Sequence, residues 1–368
     1  MSSIKYSLHP RPNPIAAALF TLRDLDADAM VLHGPSGCNF RALRLLEIDG
    51  VKVFTTSLSD YDVIMGGSSK LLQVLKVLEE QFTFQLVGVV GTCCSSIIGE
   101  DVEQIIEHFN YPFKVLAVNV PAYQSGNVIG VLRVVEKAAQ MGLISYEELE
   151  RQKRIMREAL QLERLRGIGA PGYLPTAEGH SPQTAAKAII KVLKKGERVA
   201  VILNTKKELT YLYADILIAV NEAAEKLSRQ DLVVNIANID CEWGLPKVRR
   251  DASIISRELA ERGIIIHHVT GCLDDYPASG RRAAELLMNE YHDISLAVVV
   301  GIPHAVPIEQ RFKAVGIANG NRTIARLLSL GFFQAVNEPE VHMKVLGKKA
   351  IIPSQVGNAL RRLLRSAG

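Results

Sequence analysis

Short, continuously apolar runs alternate with amphipathic helical stretches along both halves of this chain, and no other pattern limits its fold more. In the first half the runs are Met30–Leu32, Val51–Thr55, Leu86–Val90 and Val115–Val120, with helical periodicity near Cys38–Glu47, Gly67–Gln81, Ile97–Phe109 and Val128–Met141. The second half repeats the rhythm. Its runs are Val199–Leu203, Leu232–Ile239, Ile264–Val269 and Leu296–Val300, with helices near Leu209–Leu227, Val248–Arg262, Ser279–Asn289, Asn321–Leu330 and Gln355–Ser366. Strands that are apolar on both faces are the kind buried between helical layers, and their crossovers close right-handed into a parallel sheet. The expected fold class is α/β, with two or three Rossmann-like, doubly wound parallel-sheet domains.

Tyr146–Arg166 is densely charged and reads as a solvated helix, and Gly167–Pro182 is rich in Gly and Pro and reads as a linker. The expected division is an N-terminal domain over 1–175 and a C-terminal region over 176–368 of one or two subdomains. Gly167, Gly169 and Gly172 spell G-x-G-x-x-G. They follow a charged helix rather than a strand, which is not the setting of a dinucleotide fingerprint.

The chain of 368 residues carries a formal charge of +4 with its basic residues dispersed, so nucleic acid is not an expected partner. No apolar run is long enough to span a bilayer and the first residues are polar and proline-bearing, so a cytoplasmic protein that does not enter membranes is expected. The five cysteines are odd in number and lack disulfide spacing, which fits a reducing compartment.

Two of those cysteines stand apart. His33–Arg41 reads HGPSGCNFR and Gly91–Asp101 reads GTCCSSIIGED, each following directly on an apolar run. A cysteine at the carboxyl end of a buried strand is held rigidly while still facing a crevice. Cys38 and Cys93 are therefore candidate thiolate ligands of an iron–sulfur cluster. His33, Gly34, Gly37, Gly91 and Thr92 crowd the approach to them, glycines allowing close backbone and free amides near sulfur. Cys94 is a further candidate, although adjacent residues on extended backbone point opposite ways. Cys241 and Cys272 also follow strands. For every one of these, a small buried filler is the competing reading. Two ligands per chain fall short of four, and a two-fold axis supplies the missing pair, so the arithmetic predicts a homodimer sharing a [4Fe-4S] cluster.

HGPSGC resembles the HGPxGC loop of the nitrogenase component 1 family, the catalytic components of nitrogenases and nitrogenase-like reductases. GTCCSSIIGED is similar to that family's C-x4-I-G-D-D loop; Cys93 takes the ligand position, with Ile98, Gly99 and Asp101 in register and Glu100 in place of the first aspartate. Asp60–Leu75 (DYDVIMGGSSKLLQVL) resembles the family's glycine pair followed by lysine and leucine, and Pro121–Gly130 (PAYQSGNVIG) its proline–aromatic–x–Gly turn. The nitrogenase component has an additional cysteine about two dozen residues before the HGPxGC cysteine. Here that stretch, Arg11–Asn13, has none. Among family members the compact, cofactor-poor reductases of nickel-tetrapyrrole biosynthesis in methanogenic archaea are the most similar.

The resemblance implies a two-component system. A separate ATP-hydrolysing iron–sulfur reductase delivers electrons, and the cluster passes them to a nickel tetrapyrrole substrate in a six-electron reduction with closure of a γ-lactam ring. Such a substrate needs proton donors, for which Asp101 and His304 are candidates, and cations for its carboxylates, for which Lys247, Arg249, Arg250, Arg281 and Arg282 are candidates. The bland readings are a helix cap for Asp101, a hydrogen-bonded loop histidine for His304, a brace for the cysteine loop in His33, and a solvated helix face for the arginines. Three other functions stay open: a scaffold for cofactor assembly, a reductase acting on another tetrapyrrole, and a metal-free two-domain solute binder.

Overall fold

The structure, a computed structural model, describes residues 13–107, 109–120, 126–172 and 174–365. The chain divides into two compact units, one holding the residues through Met156 with Leu245–Lys247, the other Arg157–Gly244 with Val248–Gly368.

The first unit runs α1 (Pro14–Asp24), β1 (Ala29–His33), α2 (Phe40–Ile48), β2 (Lys52–Thr55), α3 (Asp60–Met65), α4 (Ser68–Gln81), β3 (Leu86–Gly91), α5 (Cys93–Ile97), α6 (Val102–Glu107), β4 (Lys114–Asn119), α7 (Val128–Gln140) and the start of α8 (Tyr146–Leu165). Among the described residues its sheet is parallel, in the order β2-β1-β3-β4. The chain leaves β1 for one side and β3 for the other, so the strand order reverses between them, at the point where open parallel sheets bind ligands. One face is covered by α4 and α6 through Leu71, Leu75, Leu78 and Val102, packed on Val31, Val87 and Val89.

No helix was expected at α1, yet every residue of it is buried. Asn13 caps it, its Oδ1 accepting from Ala16 N–H at 2.9 Å, and Pro14 starts it with a preset φ. It packs against β3, where Gly88 leaves room for Leu22, and against α7, where Gly130 lies directly against the Pro14 carbonyl. Arg23 is buried at its end and forks onto Asp24 and Asp49.

The second unit contains α9 (Pro182–Lys194), β5 (Arg198–Asn204), α10 (Thr210–Lys226), β6 (Val233–Ala237), α11 (Pro246–Glu261), β7 (His268–Val269), α12 (Tyr276–Glu290), β8 (Ile294–Gly301), β9 (Ala314–Ala318), α13 (Asn321–Leu330), β10 (Gln334–Asn337), α14 (Val341–Lys344) and α15 (Gln355–Arg365). Among the described residues its six parallel strands lie in the order β10-β9-β8-β5-β6-β7, the arrangement of a dinucleotide-type doubly wound sheet, with the reversal between β5 and β8.

The differences from the sequence reading have local causes. A single helix expected near Ile97–Phe109 is instead α5 and α6, because Gly99 turns left-handed (φ 81°) and Asp101 restarts the helix. The expected strand at Ile264–Val269 shrinks to His268–Val269, because Asn235 N–H donates to the His267 ring and its side-chain amide to the Ile265 carbonyl. The strands β9 and β10 were not expected: each is short, and β9 carries a glycine, Gly316, in the middle of its apolar run. The unit boundary falls inside α8, ahead of the Gly/Pro-rich segment, because Glu163 and Arg166 bind His304 and Glu309 of the second unit. No helix among the described residues is long and apolar enough to cross a membrane.

The α1–α7 contact predicts that Gly130→Val, which forces a side chain into the Pro14 carbonyl, lowers unfolding free energy by about 1–3 kcal/mol. A urea midpoint equal to wild type would contradict this packing.

Candidate metal centre

The two cysteine loops leave the sheet from adjacent strands at the reversal point of the first unit. His33 ends β1 and Gly91 ends β3, and the two are register partners. The loops interlock just beyond. Thr92 N–H donates to the His33 carbonyl at 3.2 Å, and the Thr92 side chain fills the space where a Cβ on Gly34 would stand. Gly91 is needed too, since a Cβ there would press on Asn119 Oδ1. Gly37 has open space around it, so packing does not require a glycine at that position. Pro35–Cys38 closes a turn with Cys38 N–H on the Pro35 carbonyl, and Cys93 opens α5.

Glu100 ties the motifs together. One oxygen accepts from His33 Nε2 at 2.7 Å; the other accepts from the backbone N–H of Gly67 and from Ser68 Oγ at 2.9 Å. His33 is wholly buried and its Nδ1 faces the Thr56 hydroxyl at 3.1 Å, which in turn accepts from Gly34 N–H. Burial alone would push the Glu100 carboxyl up, but the bonds from His33, Ser68 and Gly67 outweigh it and hold the carboxyl below the ordinary glutamate range.

Cys38, Cys93 and Cys94 are half-buried and reduced. Burial pushes the Cys38 thiol up, the Asn39 amide hydrogen bond pulls it down, and the charges of Cys93 and Cys94 push it up again. Cys94 is likewise raised by burial, by Glu100 and by Cys93. The three sulfurs therefore share one electrostatic neighbourhood, in which thiolates repel each other unless a cationic group lies among them. Among the described residues no three His, Cys, Asp or Glu side chains of this one chain gather to hold a metal ion. The donor set fits half of a four-thiolate site.

Large apolar side chains stand exposed on the same segments: Phe40 two residues after Cys38, Ile97 on α5, and Tyr61, Ile64 and Met65 on α3, just before the Gly67–Ser68 turn that Glu100 holds. Ile64 is 80% exposed. A monomer leaves few such groups together on its surface.

The remaining sequence candidates lie elsewhere. Asp101 starts α6, its Oδ1 accepting from Glu103 and Gln104 N–H and from the Asn119 amide at 2.7 Å. His304 follows β8 at the reversal point of the second sheet; its Nε2 lies 3.0 Å from Glu163 Oε1, and its Nδ1, also buried, makes no hydrogen bond. Burial would raise the Glu163 carboxyl, but His304 overrides this and holds it low. Arg249 and Arg250 sit in the first turns of α11. On α12, Arg281 pairs with Glu158 at 3.0 Å and Arg282 donates to the Thr270 carbonyl. Lys247 belongs to the first unit. Cys241 and Cys272 follow β6 and β7, and the buried Cys272 sulfur donates to Asp274. The first five residues of the family-like turn at Pro121–Gly130 lie outside the described residues; its Gly130 is the α7 residue packed on Pro14.

Sequence reading missed three contributors. Glu100 looked only like a mild departure, Asn39 was merely part of the helical stretch near Cys38–Glu47, and Glu163 was one acid among many in a charged helix. For Glu100 a signal existed, since the longer side chain reaches both neighbouring motifs.

A parallel α/β chain with paired cysteine loops at a sheet reversal is the architecture of an oxidoreductase of the nitrogenase component 1 type, and the family described as "Nitrogenase component 1 type Oxidoreductase" matches residues 14–162. Over nearly its whole length the chain is similar to "Ni-sirohydrochlorin a,c-diamide reductive cyclase complex, component CfbD" of three archaea. Identity is 43% to the Methanothermobacter thermautotrophicus protein (97% of this chain, 99% of that one), 40% to that of Methanosarcina acetivorans (98% of each) and 39% to that of Methanocaldococcus jannaschii (96% and 98%). The chain belongs to this CfbD family. Among solved structures it is similar to "Nitrogenase Cp1 at pH 6.5", with TM-score 0.33 and 14% identity over 97% of this chain and 94% of that one.

A carboxyl held low in the folded state stabilises the fold above the ordinary glutamate range and loses that contribution as pH falls through its folded pKa. Glu100→Gln should therefore cost about 1–3 kcal/mol at neutral pH, as expected for hydrogen bonds to a charged group. The difference from wild type should shrink on acidification below that range. A pH-independent difference in urea unfolding would contradict an ionised Glu100.

Proposed function

We propose that this chain is the catalytic component of a two-component, ATP-dependent nitrogenase-like reductase. Its substrate is Ni-sirohydrochlorin a,c-diamide, which it reduces by six electrons and closes to a γ-lactam. This step belongs to biosynthesis of the nickel tetrapyrrole coenzyme of methyl-coenzyme M reductase in methanogenic archaea. The observation that carries this reading is identity of 39–43% over at least 96% of the chain to three proteins of that name.

Cys38 and Cys93, one pair from each of two copies, would hold a [4Fe-4S] cluster, with Cys94 as a reserve thiol. Held there, the cluster supplies one-electron storage between a separate ATP-hydrolysing iron–sulfur protein and the substrate. The half-set of thiols and the exposed apolar side chains on the same segments, Phe40, Tyr61, Ile64, Met65 and Ile97, support a homodimer that closes over the cysteine loops, in a protein taken to be cytoplasmic. Arg249, Arg250, Arg281 and Arg282 would meet the substrate's carboxylates.

His304 is the proton donor this reading favours over Asp101. Asp101 spends its carboxylate on the first turn of α6, whereas His304 is oriented by Glu163 through Nε2 and keeps Nδ1 uncommitted. A carboxylate behind an imidazole fixes its ring orientation, leaving the other nitrogen to face a reacting group. Incubated anaerobically with the partner reductase, ATP and reductant, the chain should convert the nickel substrate to the lactam product. His304→Gln should slow this about a hundredfold while leaving iron content unchanged. No product from the iron-loaded chain in the complete system would overturn the functional reading; wild-type turnover by His304→Gln would overturn the donor assignment.

A further inference from the structure

Cys38 is followed by a residue whose conformation and partners are both unusual. Asn39 adopts the left-handed region (φ 51°, ψ 25°) at the N-cap of α2, where its carbonyl accepts from Ala42 and Leu43 N–H. Its side chain plays no part in capping. Instead it folds back, and Nδ2 lies 3.5 Å from Cys38 Sγ, within reach of an N–H···S bond. An amide beside a sulfur can present either end, N–H or oxygen, so the bond depends on what sets the orientation.

That setting comes from Asn13. Asn13 Oδ1 is taken by the N–H of Ala16 as the cap of α1, which turns Asn13 Nδ2 outward to donate to Asn39 Oδ1 at 2.8 Å. With its oxygen occupied, Asn39 presents its NH2 to the sulfur. The polarity runs in one sense from the first turn of α1 to Cys38, and reversing either amide breaks two bonds. The buried α1, anchored on β3 and α7, holds the start of this relay in place.

We propose that Asn13 and Asn39 form an amide relay that fixes a hydrogen-bond donor on the Cys38 sulfur and thereby raises the reduction potential of the cluster the thiol holds. The inference rests on the metal-centre reading above and adds to it two positioning residues, neither of which ligates metal. The physical reason is that a cluster gains negative charge on reduction, and a donor on a ligand sulfur stabilises the more negative state. A purely conformational role for Asn39 is the alternative, since asparagine is tolerated in left-handed backbone. Glycine satisfies that role equally well and carries no amide.

The test is a redox titration followed by electron paramagnetic resonance, with iron analysis, on the anaerobically purified full chain and two variants. Asn39→Gly keeps the backbone conformation and removes the donor. Asn13→Asp keeps the cap on Ala16 but replaces the N–H facing Asn39 Oδ1 with an oxygen, so the Asn39 amide turns over and offers its own oxygen to the sulfur. Both variants should load iron and unfold thermally as wild type does. At one fixed poise, each should show a reduced-to-oxidised ratio about tenfold lower, a shift of 59 mV to more negative potential for a one-electron couple. Loaded variants with the wild-type potential would overturn the relay alone. Wild type without iron after reconstitution would overturn the metal-centre reading and the relay with it.

Discussion

One carboxylate holds the site end of the first unit together. Glu100 sits at the end of the second cysteine loop and binds the histidine of the first loop through one oxygen and the glycine–serine turn before α4 through the other. Three chain segments that are distant in sequence are thus clamped by a single buried charge, and the interlock of Gly34 with Thr92 brings the two loops into contact beneath it. Hydrogen bonds to an ionised group are stronger than neutral ones, and a buried charge left unpaired is costly, so this clamp tolerates little change. Half-buried Cys38 and Cys93 stand on the two loops that this clamp joins.

Much of this was legible in the sequence, for identifiable reasons. The strands β1, β3, β5 and β8 are continuous apolar runs, and their alternation with helices leaves a parallel sheet as the natural solution. The cysteine loops were legible because glycine and proline concentrate where a side chain would collide with a neighbour, as at Gly34 against the Thr92 side chain and Gly91 against that of Asn119. The illegible parts depend on partners remote in sequence. Helix α1 is buried on all sides, so it lacks the two-faced periodicity that marks a surface helix. The short β9 and β10 gain their strand character from the sheet edge they extend. The roles of Glu100 toward His33 and of Glu163 toward His304 are long-range contacts that no local pattern encodes.

The two units carry different kinds of chemistry. The first presents thiols at its sheet reversal, suited to holding an electron-storing cluster. The second presents, at its own reversal, an imidazole backed by a carboxylate and with one nitrogen uncommitted, suited to moving protons. A catalytic component that takes up electrons singly and builds new C–H bonds on a macrocycle needs both. On the proposed function, the tetrapyrrole would carry the difficult chemistry, and these two kinds of group would serve it with electrons and protons.

The central claim is that Cys38 and Cys93 from two copies together hold one cluster. Iron and acid-labile sulfide analysis with electron paramagnetic resonance, on anaerobically purified wild type beside Cys38→Ala and Cys93→Ala, tests it most directly. The account predicts about four irons per dimer for a single [4Fe-4S] centre, with its signal lost in either variant. About eight irons per dimer, one cluster to each chain, would contradict the shared centre, and so would a wild-type signal that survives both substitutions.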